Sequence, residues 1–160
     1  MTQSPPKNKK ILILYTEPPT YFLACIQKFV NCFPAEVHLV QWPVNKREAP
    51  YQSLKAANVF NYERVDYSTR QLLALAESIR PDLVLCGGWR DRGYLALCRH
   101  FFKTIPTVLA IDHKWSGTIK QKLATFFARF YSARLFSHAW IPGDIQLEYA
   151  RHLGFQTKDI

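Results

Sequence analysis

The sequence predicts an α/β fold, a Rossmann-like doubly wound parallel sheet in three layers, α/β/α. Three observations carry this. Short apolar runs, ILILY at 11–15, DLVLC at 82–86 and PTVLAI at 106–111, have the composition of strands buried on both faces. Stretches of helical spacing separate them, which is the βαβ pattern of a parallel sheet. Proline or glycine punctuates the joins. With 160 residues, 48% hydrophobic and 21% charged, the chain has the size and balance of one globular domain rather than a disordered one.

The elements follow in order. Residues 1–10 read as a disordered lead-in, and 11–160 as a single domain. After the strand at 11–15, Glu17-Pro18-Pro19 breaks the run. Residues 20–33 are helical, with Phe22, Cys25, Ile26, Phe29 and Phe33 near one face, and Pro34 ends them. Residues 36–42 alternate as a second strand, 43–57 are polar and irregular, and 58–62 suit a short third strand. Ser68 with Gln71 makes a capping box that opens a helix to about Ile79, its buried side Leu72, Leu73, Leu75, Ala76 and Ile79. Pro81 stops it. Strand 82–86 turns at Gly87-Gly88 into a helix over 91–103. Strand 106–111 leads through DHKWSG into a helix at 118–135. Strand 137–141 precedes a helix at 144–153, closed by Gly154 and Phe155 as in a Schellman end.

The net charge of +9 favours anionic partners: nucleic acid, lipid or phosphorylated substrate. No zinc-finger spacing, helix-turn-helix or RNA-binding aromatic strand motif accompanies it, so nucleic acid is not an expected partner. The cysteines, Cys25, Cys32, Cys86 and Cys98, form no C-x-x-C pair. Cys25 and Cys32 on one helix lie about 10 Å apart along its axis, too far to bridge. Reduced structural thiols and a cytoplasmic location follow. No signal peptide is recognisable, and no run approaches the ~20 apolar residues that span a bilayer. Contact with the inner membrane face stays open.

Ligands of doubly wound sheets bind at the carboxyl ends of the strands. The first such end carries Thr16 to Thr20 without a glycine, so the phosphate cradle of an ordinary NAD or FAD domain is not expected. Glu17 and Thr20 suit either contact with an acceptor hydroxyl or helix entry. Gly87-Gly88-Trp89-Arg90 permits close backbone approach, with a cation and an indole beside it. It suits either an anion-binding turn or a plain tight turn. The densest cluster, Asp112-His113-Lys114-Trp115-Ser116-Gly117-Thr118, follows a strand and precedes a helix. Asp112 and His113 are its candidate catalytic pair, with Lys114 and Trp115 as substrate contacts. The helix at 118–135 has a broad apolar face of Ile119, Leu123, Phe126, Phe127, Phe130 and Tyr131. Lys120, Lys122, Arg129 and Arg134 flank it. Two readings stand: an interfacial helix whose membrane-facing residues are Lys120, Lys122, Phe127, Arg129 and Arg134, and a core helix covering the sheet.

The strings IDHKWSGTIKQKLA and SHAWIPGDIQLEYARHLGF resemble the N-terminal domain of GT-B glycosyltransferases of the large retaining family four. The resemblance covers most of 10–160 and is best over 82–160. It implies two Rossmann-like domains about a cleft, the first holding the acceptor and the second the sugar nucleotide. The transfer it implies is metal-independent and retains configuration, moving a sugar from a nucleotide-diphosphate sugar to a glycan or lipid-linked acceptor. Polysaccharide biosynthesis at a membrane surface is the setting it suggests. No resident cofactor or metal is implied; the nucleotide sugar is a substrate. Many members have a glycine-rich loop where this chain has Glu17-Pro18-Pro19. The family's two glutamates eight positions apart are absent. The C-terminal donor domain, expected as a partner, would begin where the chain reaches Ile160, and the fragment alone is not expected to turn over. The competing expectation is a stand-alone flavodoxin-like module, non-enzymatic, with an anion site at Gly87-Gly88.

Overall fold

The computed structural model describes residues 8–43 and 56–160. Six strands form one sheet: β1 (Lys9–Tyr15), β2 (Ala35–Gln41), β3 (Val59–Glu63), β4 (Leu83–Cys86), β5 (Thr107–Ala110) and β6 (His138–Trp140). Five helices connect or follow them: α1 (Thr20–Cys32), α2 (Thr69–Ile79), α3 (Arg92–Phe101), α4 (Ile119–Ser132) and α5 (Leu147–His152). Every ladder is parallel, and the strand order is β3-β2-β1-β4-β5-β6. The chain winds outward from β1 to β3, returns across β1 to β4, and winds outward again. Its order therefore reverses between β1 and β4, which is where such sheets bind ligands.

The expected lead-in is shorter than read. Lys9 and Lys10 already belong to β1, because β1 matches β2 residue for residue from Lys9↔Ala35 to Tyr15↔Gln41. Lys9 Nζ also pairs with Asp82 at 3.0 Å, and the Lys10 amide donates to the same carboxylate. Residues 1–7 of the lead-in, and 44–55 of the irregular stretch, lie outside the described residues.

Two cores sandwich the sheet. On one face α1 packs Phe22, Leu23, Ile26 and Val30 against Ile13, Val37 and Leu39. On the other, α2, α3 and α5 pack Leu72, Ala76, Leu97 and Ala150 against Leu12, Leu14, Val84 and Leu109. The buried side of α1 differs from the expected one. Cys25 is exposed, and Phe33 lies past the helix end on extended backbone, where it stacks on Phe29. β2 also departs from the expected alternation: Val37 through Val40 are all buried, because β2 is an interior strand with helices on both sides. His38, at its centre, is held by Glu36 at 2.6 Å and by the Tyr62 hydroxyl at 2.9 Å.

β4 and β5 depart in the opposite sense. Val84, Cys86, Thr107 and Leu109 are buried, while Leu83, Leu85, Val108 and Ala110 are only partly covered. The uncovered side is the one on which α1 lies, and α1 packs chiefly on β1 and β2. The helix ends match the sequence closely. Ser68 and Gln71 form the full capping box of α2. At the end of α5 the Phe155 amide donates to Ala150 and the Gly154 amide to Arg151, the paired bonds of a Schellman motif, with Gly154 at φ +99°.

Candidate functional site

At the point of reversal the carboxyl ends of β1, β4 and β5 enclose a cavity of about 450 Å³. That is within the ordinary range for small-molecule sites. Its floor is apolar, from Leu109, Ala110, Ile111 and Leu153. Its rim carries Glu17, Arg90, Asp112 and His113, with Trp89 and Tyr149 as aromatic walls. Of the residues expected at the site, Glu17, Gly87, Gly88, Trp89, Arg90, Asp112 and His113 line this one cavity.

Three expected residues do not line it. Thr20 is the first residue of α1 and faces solvent. Trp115 turns onto α5, its ring stacked 3.9 Å from that of His152 and nearly parallel to it, and 6.1 Å from that of Tyr149. Lys114 is exposed, and its carbonyl accepts from the Gln121 side chain of α4. Gln121 also accepts from the Ser116 amide at 2.7 Å, which folds the loop back on the helix it precedes.

The glycine pair has a packing cause. A Cβ at Gly87 would meet the Tyr15 ring at 2.2 Å, and one at Gly88 would meet Thr16 and the Tyr94 ring at 2.6 and 2.8 Å. The expected anion cradle at the start of α3 is already filled from within. Asp91 caps α3, its carboxylate accepting from the amides of Gly93 and Tyr94 at 2.7 and 3.1 Å. Arg64 pairs with that carboxylate at 3.0 Å, and the Trp42 indole donates to it at 3.1 Å. Both charged side chains are well covered, at 6% and 13% exposure for Asp91 and Arg64. Tyr94, fully buried, shares its hydroxyl between the carbonyls of Tyr15 and Val40. Donors that a dinucleotide fold offers to phosphate are consumed here by the protein's own carboxylate.

The remaining electrostatics favour hydroxyl chemistry. Asp112 and His113 pair at 2.6 Å through Oδ1 and Nδ1, with the imidazole 83% exposed. Burial and the nearby Asp112 carboxylate push the Tyr15 phenol well above its ordinary range, and the same two causes raise Tyr21. Burial raises Tyr149 against the opposing pull of Arg90. These phenols remain neutral, able to donate as well as accept. Among the described residues there is no group of three or more His, Cys, Asp or Glu placed to hold a metal ion.

Sequence reasoning missed Tyr15, Thr16 and Tyr149 at the cavity, and the Arg64–Asp91–Trp42 knot beside it. Tyr15 closes an apolar run at a strand's carboxyl end, and that position was signal enough to find it. Tyr149 and the Arg64–Asp91 pair come together only through tertiary packing and leave no local signature.

No protein-family model matches the chain, and no curated protein matches it. Among solved structures it is similar to the L-threonine dehydrogenase of the hospital pathogen Clostridium difficile, with a TM-score of 0.52 and 10% identity. The match covers 83% of this chain and 52% of that one. The fold is Rossmann-like. The chain spans about half the length of that dehydrogenase, and likeness at such low identity speaks to the fold alone. In this Rossmann-like sheet the cavity sits at the switch point without the glycine-rich turn of a dinucleotide site.

Proposed function

We propose that this chain is the acceptor-binding half of a glycosyltransferase, one that moves a sugar from a nucleotide-diphosphate sugar to a glycan or lipid-linked acceptor. The observation that carries the reading is the lining of the switch-point cavity. Two carboxylates, an imidazole, a guanidinium and neutral phenols ring an apolar floor with aromatic walls. A saccharide presents the matching surface, hydroxyls at its edges and C–H groups on its faces. The resemblance over 82–160 to retaining family-four enzymes supports the same reading. Asp112 holds the His113 ring by Nδ1, leaving Nε2 for an acceptor hydroxyl. Glu17 and Arg90 hold neighbouring hydroxyls or an acceptor phosphate. The contribution of this half is orientation; the sugar nucleotide belongs to a second domain.

The test is ligand-observed NMR on this chain with free saccharides, a lipid-linked saccharide, a nucleotide sugar, NAD and inorganic phosphate. Saccharide binding is expected, weakened about ten-fold in Asp112→Asn, the scale of one lost charged hydrogen bond. Binding of NAD, or of phosphate with no saccharide response, would overturn the reading. Phosphate alone would favour a stand-alone anion-binding module.

A further inference from the structure

Helix α4 is mounted the wrong way round for a core helix. Its buried residues are Thr125 and Ser132, with the small Ala128 partly covered. The Ser132 hydroxyl donates to the Leu153 carbonyl at 2.7 Å, so α4 docks on the end of α5 through small and polar groups. Its apolar residues point out instead. Ile119 is 79% exposed, Phe127 70%, Phe130 66% and Phe126 62%, with Leu123 and Tyr131 exposed beside them. At about 100° per residue these six occupy one arc of roughly 140°. Phe126 packs edge-on against Phe127 and Phe130, which makes the patch continuous. A contiguous apolar surface of this kind marks a site of interaction.

The rim of the patch identifies what covers it. Lys120 lies within the arc, Lys122 and Arg129 along one edge of it and Arg134 just past the helix; all four are exposed, and no acidic residue occurs between Lys114 and Arg134. A second copy of a chain with net charge +9 would set bases against bases, which is unfavourable. An anionic bilayer supplies both an apolar interior for the rings and phosphates for the bases. At 14 residues, α4 is about 21 Å long, short of the hydrocarbon thickness, so it lies in the interface rather than across it. No described helix is long and apolar enough to cross a membrane.

We infer that α4 is a docking helix for an anionic lipid surface, seated through Ile119, Leu123, Phe126, Phe127 and Phe130 and held by the basic rim. This stands whether or not the cavity takes a saccharide, and it sets the cavity beside the membrane. The loop 112–118 joins the rim residues Asp112 and His113 directly to the start of α4.

Co-sedimentation of the chain with vesicles tests this, using phosphatidylcholine alone and phosphatidylcholine mixed with phosphatidylglycerol. Binding is expected to the mixed vesicles and to fall with salt. Phe127→Ser with Phe130→Ser should weaken it at least about ten-fold at low salt, the scale of removing two buried rings. Lys120→Gln with Lys122→Gln should weaken it about thirty-fold. All four side chains are exposed, so the variants should keep the wild-type circular dichroism and melting temperature. No co-sedimentation would overturn the inference. So would binding indifferent to the Phe substitutions, which is adsorption by charge alone. A dimer in solution that those substitutions dissociate would overturn it in favour of a second copy.

Discussion

At Gly87 a single methyl group decides. The Tyr15 ring that a Cβ would strike at 2.2 Å is backed by Phe22, its ring centroid 4.9 Å away, and so has nowhere to retreat. Gly87→Ala should therefore lose about 1–3 kcal/mol of stability in urea denaturation, the usual cost of overpacking. In a Tyr15→Val background the same change should cost much less, and a double-mutant cycle measures that coupling. A cost unchanged by Tyr15→Val would place the strain elsewhere. Glu36 offers a second test at this scale. The hydrogen bond from His38, aided by the Lys10 charge, holds its carboxyl below the ordinary range. Its folded pKa lies under the unfolded one, so its contribution is complete above about pH 4.3 and is lost as pH falls through the folded value. Glu36→Gln should flatten the fall in urea midpoint below that pH and shift the midpoint less under more acid conditions than at neutrality. An unchanged acid limb would remove Glu36 from the account. What the sequence concealed at this scale was pairing. Gly87-Gly88 was visible as a turn, but not the two tyrosine rings that demand it. Asp91 was visible at a helix start, but not Arg64, 27 residues away, that neutralises it.

Among the elements, those with local causes were the legible ones. Every strand and helix is present near its expected place, because apolar runs, prolines and caps act over a few residues. The Ser68 capping box is the clearest case. Ser68→Ala should cost about 1 kcal/mol, read as a lower midpoint in urea with an unchanged slope. A neutral outcome would mean that packing alone holds the start of α2. Orientation was much less legible. Periodicity finds an apolar stripe on α1 and on α4 but does not say which neighbour it meets. On α1 the stripe expected from the sequence is rotated from the buried one, because Leu23 and Val30 rather than Cys25 and Phe33 meet the sheet. On α4 the stripe is real and faces away from the protein. β2 and β4 show the same limit, since the number of helices over a strand is a property of the winding, not of its own residues.

For the whole molecule, the strand order follows from right-handed crossovers once β3 returns across β1, and the cavity follows from the order. That is why the switch point, and the gathering of seven of the ten candidate residues around one cavity, were legible in the sequence: strand ends are local features and the topology gathers them. The chemistry of the cavity is less local. Its aromatic wall Tyr149 arrives from α5, more than 50 residues beyond the glycine turn that faces it. The loop 112–118 leads from the cavity-rim residues Asp112 and His113 into α4, so it is the start of that helix that the chain ties to the cavity.

The ring of Trp115, lying flat on His152 and close to Tyr149, also gives the protein an optical property. Indole emission depends on what the ring touches, and Tyr149 both neighbours this indole and lines the cavity. A ligand that shifts Tyr149 disturbs the stack, and the emitted light changes with it. With Trp89 on the cavity wall, this indole is expected to make the protein's own emission respond to a ligand in the cavity, without a label and without a reaction having to occur.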